Sequence, residues 1–161
     1  MQRPGNHRGR PGGVSFNRKI FTMRPLLADG QLKQTIAMPT GASAVTTPGI
    51  DLGNTVNADN VAEYELLITA PALTTAMLAD TATVKYDIVT GATVNGSGVI
   101  QSPTTIASTV LTQTGAGGTG AATATKRFQL PSDAQRYVGV TATKSAAGDA
   151  SSVSAALQLV F

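Results

Sequence analysis

The chain has 161 residues, no cysteine and no tryptophan, and only 13 % of it is charged and 4 % aromatic. That length suits one domain with extensions and permits a real core. The missing cysteines exclude disulfide frameworks, thiolate metal sites and cysteine nucleophiles, and no twenty-residue apolar run offers a membrane-spanning helix. Volume comes instead from Ala, Val, Leu, Ile and Thr, which gives a weakly charged surface of small side chains, the kind expected of a protein packed in an assembly.

The net charge of +3 is unevenly spread. Residues 1–33 hold seven Lys/Arg and one Asp, whereas residues 34–161 hold five Lys/Arg and eight Asp/Glu, a balance of +6 against −3. The sequence therefore divides into a basic arm, 1–33, and a mildly acidic body, 34–161. Arg3, Arg8, Arg10, Arg18, Lys19 and Arg24 come before the first acid, Asp29. The arm's first half is dominated by Arg, Gly and Pro, with too little apolar area to offset the entropy of ordering its backbone. An extended arm that orders on a partner is the expectation. Phe16, Ile20, Phe21 and Met23 interrupt its polarity. They read either as an edge strand on the arm's own body or as anchors in a neighbour's pocket, flanked by the arginines. The cost of exposing aromatic side chains in a chain with so few favours the second. The N-terminus lacks the apolar stretch of a secretory signal, so production inside a cell is expected.

In the body, residues 31–38 alternate moderately, and residues 44–52 form a strand that Pro48-Gly49 breaks at a corner. Residues 54–60 read as a polar loop. Residues 63–70 are strand-like up to Pro71, and residues 73–78 fit a helical turn or a strand equally well. Thr83-Val-Lys-Tyr-Asp-Ile88 has the clearest period of two, with Val84, Tyr86 and Ile88 on one face. A turn-rich loop at 91–98 leads to an alternating strand at 104–112, and a Gly/Ala loop at 115–122 to another strand at 123–130. Residues 136–143 and 152–161 read as a final antiparallel pair joined by a polar loop at 144–151. No helix longer than two turns is expected. Strands at this spacing, with turns between them, predict an all-β fold: an antiparallel β-sandwich or jelly-roll-like body behind an extended N-terminal arm.

Few residues have the spacing that chemistry needs. Gly115-Ala-Gly-Gly-Thr-Gly120 matches the dinucleotide pattern literally, but a strand follows where a helix is required, so it reads as a hairpin loop. His7, the sole histidine, lies in the arm between Asn6 and Arg8, where packing does not hold an imidazole for catalysis. Glu63 and Glu65 share a strand face, as paired catalytic carboxylates do, but read as solvated strand charges. Asp51, Asn54, Asn57 and Asp59 place oxygens along one loop without the spacing of a standard calcium site. Asn95-Gly96-Ser97 is a formal sequon that reads first as a turn. Neither an enzyme, a metal nor a cofactor is expected. Six cations without stacking Tyr or Trp make nucleic acid a minor alternative, tested by salt titration against DNA. A sugar- or receptor-binding tail-fibre module is the other, and would normally carry a cluster of exposed aromatics.

The run Ile50-Asp-Leu-Gly53, Tyr64-Glu-Leu-Leu-Ile68, Ala82-Thr-Val-Lys-Tyr-Asp-Ile88 and Ser102-Pro-Thr-Thr-Ile106 resembles the small cement, or decoration, proteins of tailed-bacteriophage capsids. So does the ending Arg136-Tyr-Val-Gly-Val140 with Ala156-Leu-Gln-Leu-Val160. The likeness covers roughly residues 35–161 in strand order and local phrasing. It implies a structural β-sandwich or jelly-roll protein on the outer surface of the virion shell, made in the host cytoplasm. Its implied partners are the major capsid protein and its own copies, often as a homotrimer, with no membrane involved. The arm extends beyond that pattern. Arg3, Arg8, Arg10, Phe16, Arg18, Lys19, Ile20, Phe21 and Arg24 are its candidate capsid-binding residues.

Overall fold

The structure, a computed structural model, describes residues 28–53 and 64–160. Nine strands follow in chain order: β1 (Ala28–Ala37), β2 (Ala44–Thr46), β3 (Ile50–Asp51), β4 (Glu65–Ala70), β5 (Thr83–Gly91), β6 (Thr104–Thr114), β7 (Ala124–Gln129), β8 (Tyr137–Lys144) and β9 (Ser154–Val160). Among the described residues there is no helix. Residues 73–78, open between helix and strand in the sequence, form a turn that ends on the Leu78 N–H donating to Thr74 O.

Alternation decides which face each strand buries. Leu66, Ile68 and Ala70 on β4, Val84, Tyr86 and Ile88 on β5, Val138, Val140 and Ala142 on β8, and Ala155, Leu157 and Leu159 on β9 all point into one core. Each larger aliphatic side chain there stabilises the fold by roughly 1.5–3 kcal/mol. Two antiparallel sheets enclose this core. One has the order β1-β9-β4-β7. The other has the order β2-β8-β5-β6, with β3 also on β8. The break at Pro48-Gly49 separates β2 from β3, as expected, and both lie along the same edge of β8.

Counted as one interrupted strand, β2 and β3 leave eight strands paired first with last, second with seventh, third with sixth and fourth with fifth. Successive pairs fall in opposite sheets. That is a long hairpin rolled up on itself, the jelly roll. It corrects the expected pairing of the last two strands: β8 lies between β2 and β5, β9 lies between β1 and β4, and residues 145–153 cross from one sheet to the other. Each of these strands buries an apolar row, and the rows face each other across the core.

The roll places the connections at two ends. Residues 38–43, 71–82, 115–123 and 145–153 meet at one end, where the Gly41 N–H donates to Gly148 O and the Thr81 N–H to Gly115 O, each at 2.9 Å. The connections leaving β5 and β7 gather at the other, beside Leu52 and Gly53, where the Leu52 N–H donates to Arg136 O at 2.8 Å. There the β5–β6 loop folds over the outside of its own sheet. Ile100 is buried against Gly49, Gly91 and Gly139, and a methyl group at Gly91 would stand 2.3 Å from Ile100 Cγ2. Side-chain-free backbone makes that socket.

Candidate functional site

β1 is the edge strand of its sheet, and Ala28 pairs with Val160 at the end of the body where β4 begins opposite Val160 as well. Residues 1–27 therefore join the body at a sheet edge. The sheet takes up backbone from residue 28, so β1 runs across position 33, and Lys33 stands exposed opposite Gln158. The nine arm positions expected to bind a capsid lie outside the described residues, as do His7, Asn54, Asn57, Asp59 and Glu63.

Of the loop oxygens considered for calcium, Asp51 is described, and an arginine occupies its carboxylate. Arg136 donates from Nε to Oδ1 at 2.9 Å and from a terminal nitrogen to Oδ2 at 2.7 Å, and the Gly53 N–H adds a bond to Oδ1 at 2.8 Å. The guanidinium also lies 5.0 Å from the centroid of the Tyr137 ring. A two-pronged pair of this kind suits Arg and not Lys. It closes the 51–53 corner onto the start of β8. The Arg136 hydrogen bond holds the Asp51 carboxyl down to about 2 from an ordinary 3.8. A carboxyl lowered on folding stabilises the fold above its unfolded value, so this contribution is present above pH 3.8 and fades as pH falls towards about 2. The side chains are 41 % and 43 % exposed, so solvent screens the pair and its contribution is small. Asp51→Asn is accordingly expected to lower the urea midpoint slightly at pH 7 and to match the unsubstituted protein at the acid end. A deficit that persists undiminished in acid would show that the pair is not its cause.

Glu65 makes a longer contact, 3.4 Å, with Arg127 on the neighbouring strand β7, an exposed cross-strand pair. Asn95 forms a turn, its Oδ1 accepting the Ser97 and Val99 N–H groups at 2.9 Å.

The glycine-rich 115–120 loop packs against the 71–80 segment. The Gly118 N–H donates to both Asp80 carboxylate oxygens, at 3.0 and 3.1 Å, and Leu73 and Ala121 exchange two backbone hydrogen bonds of 2.8 Å. Beside this contact lies an open cleft of about 360 Å³ lined by Ala72, Leu73, Thr74, Thr119, Ala121 and Ala122. Its walls are small and mostly apolar, with two threonines to offer hydrogen bonds.

Two buried polar features had no signal in the sequence. Tyr86 donates from its hydroxyl to Gln113 Oε1 at 2.8 Å, and Gln113 Nε2 donates to Pro71 O at 2.8 Å and Ala122 O at 2.7 Å. This buried network ties β5 and β6 to the two loops beside them. Lys144, expected to open a polar loop, instead ends β8 and is 2 % exposed. Its ammonium donates to Gly148 O, and burial pushes its pKa below the ordinary value while Asp149 opposes that shift. A single long side chain reaching back under its own loop leaves no pattern at period two.

Among the described residues, no group of three or more His, Asp or Glu side chains comes together to hold a metal ion. In comparisons with known proteins, no family model and no curated sequence matches the chain.

Proposed function

We propose that the protein is a structural cement protein of a tailed-bacteriophage capsid, binding the outside of the shell and clamping neighbouring major capsid subunits. The observation that carries this reading is the division of charge between arm and body. Six cations and no acid lie within residues 1–27, which join the body at Ala28, the first residue of an edge strand. The body they join is a jelly roll with a surface rich in small neutral side chains, an architecture that recurs in viral capsid proteins. Its local sequence resembles the cement proteins as set out above.

Cementing requires buried contact and no chemistry. A small body docked on a shell gives a modest interface, near or below about 1,200 Å². Twenty-seven residues reach at most about 90 Å when fully extended, against a radius of gyration of about 14 Å for a body of this size. The arm thus adds contact area on neighbouring subunits without enlarging the fold. Its arginines each engage a carboxylate through two hydrogen bonds, and Phe16, Ile20 and Phe21 supply apolar anchors. Several arms in a self-associated assembly, a homotrimer by the resemblance, raise the local concentration of each and slow release. Removing residues 1–25 spares all of β1. The truncated protein is expected to keep the unsubstituted melting temperature and to occupy far fewer sites on the shell. Equal occupancy would assign attachment to the β body.

A further inference from the structure

The two sheets present four edges, and three of them are blunted. β2 and β3 are three and two residues long, and the β5–β6 loop pairs with the break between them, with Pro48 bridged to Val99 and the Gly49 N–H donating to Gly98 O. β7 carries exposed Lys126 and Arg127. β1 carries exposed Lys33. Short length, proline, cover and charge are the devices that keep sheet edges from pairing with other chains.

β6 is the exception. At eleven residues it is the longest strand described, it contains no charge and no proline, and its one strand partner among the described residues is β5. It does carry a bulge. Thr109 sits at φ 52° with its N–H held by Asp87 Oδ1 at 2.6 Å, a left-handed conformation that is costly for a β-branched residue. The bulge ends the regular ladder, which resumes with Leu111 opposite Tyr86 and runs to Thr114 opposite Thr83. Among the described residues nothing pairs with the outer edge of residues 110–114.

We infer that this run of β6 pairs with the same run of a second copy, joining two five-stranded sheets across a two-fold axis. The choice of a second copy rests on charge. An isologous contact sets the same run of strand against itself, so β7 would bring Lys126 and Arg127 close to the cations of its copy and β1 would bring two copies of Lys33 into one seam, whereas β6 sets only neutral side chains together. Facing is satisfied too. A two-fold axis perpendicular to the sheet puts outward residues opposite outward residues, so exposed Thr112, which pairs with exposed Lys85 on β5, stands opposite its own copy. Leu111 then stands opposite Gln113, both on the inner face. Thr beside Thr is a favourable cross-strand pair. Pairing of this kind yields a dimer, in place of the trimer that the resemblance implies, and does not rest on the capsid reading.

Sedimentation of the full chain over a range of concentrations tests it. The unsubstituted protein should pass from monomer to dimer. Thr112→Lys and Thr112→Glu should each lose the dimer while melting within a few degrees of the parent, because Thr112 is exposed, and mixing the two variants should restore it through Lys–Glu pairing across the axis. A parent that stays monomeric at every concentration would overturn the inference. So would a dimer or trimer that survives both substitutions.

Discussion

A chain cut after Gln158 is expected to be recovered as insoluble protein. The cut removes Leu159 and Val160, each 2 % exposed, together with Phe161. Burial of the first two alone is worth about 3–6 kcal/mol, a large part of the roughly 5–15 kcal/mol that holds a domain folded. The loss is topological as well. β9 is an inner strand, and its end pairs Leu159 with Leu66, and Val160 with both Glu65 and Ala28. Without that end Glu65, Leu66 and Ala28 lose their partners on β9, and their freed backbone groups become templates for aggregation. Soluble truncated protein with a cooperative melt would contradict this placement. Leu159→Ala offers a milder check, with an expected loss of about 2–5 kcal/mol in denaturant unfolding.

Gly120→Ala should be the most damaging single methyl group in the 115–120 loop. A Cβ at Gly120 would lie 2.0 Å from Leu73 O, and the residue sits at φ 82°. That carbonyl cannot retreat cheaply, because it accepts the Ala121 N–H at 2.8 Å in the contact that seats the loop. Left-handed strain and overpacking together cost about 3–4 kcal/mol, or roughly 6–16 °C in melting temperature for a chain of this size. Gly117→Ala is the control. Its φ of 61° imposes the same kind of backbone strain, but nothing lies within 4 Å of the added methyl group. Equal losses for the two variants would mean that close packing at Gly120 contributes nothing.

These glycines show why part of the fold was legible and part was not. Period-two alternation depends on residues near one another in the chain, so β5, β4 and the apolar row of β9 could be read directly, as could the Pro48-Gly49 break and the Asn95 turn. Strand partners depend on residues far apart. The separation of β8 from β9 follows from the roll of the whole chain, and no local pattern in residues 136–161 encodes it. The glycine pattern at 115–120 had the right negative reading, a loop and no nucleotide site, but its reason lay in the carbonyls of the 71–80 segment. Ile100 over Gly49, Gly91 and Gly139, the Asp87-held bulge at Thr109 and the buried Lys144 all depend on contacts between distant loops and strands. Of the site features, the Asp51–Arg136 pair joins residues 85 apart in sequence, which explains why Asp51 first reads as a loop oxygen. The arm was legible as charge and composition alone, and its candidate residues lie outside the described part of the chain.

The measurement that bears most directly on the cement role is light scattering of undecorated capsid shells titrated with the full-length protein. A saturable rise in particle mass that survives washing is expected, with the bound protein removable by protease from the outside of intact shells. Shells that gain no mass at any ratio of protein to shell would contradict the cement role.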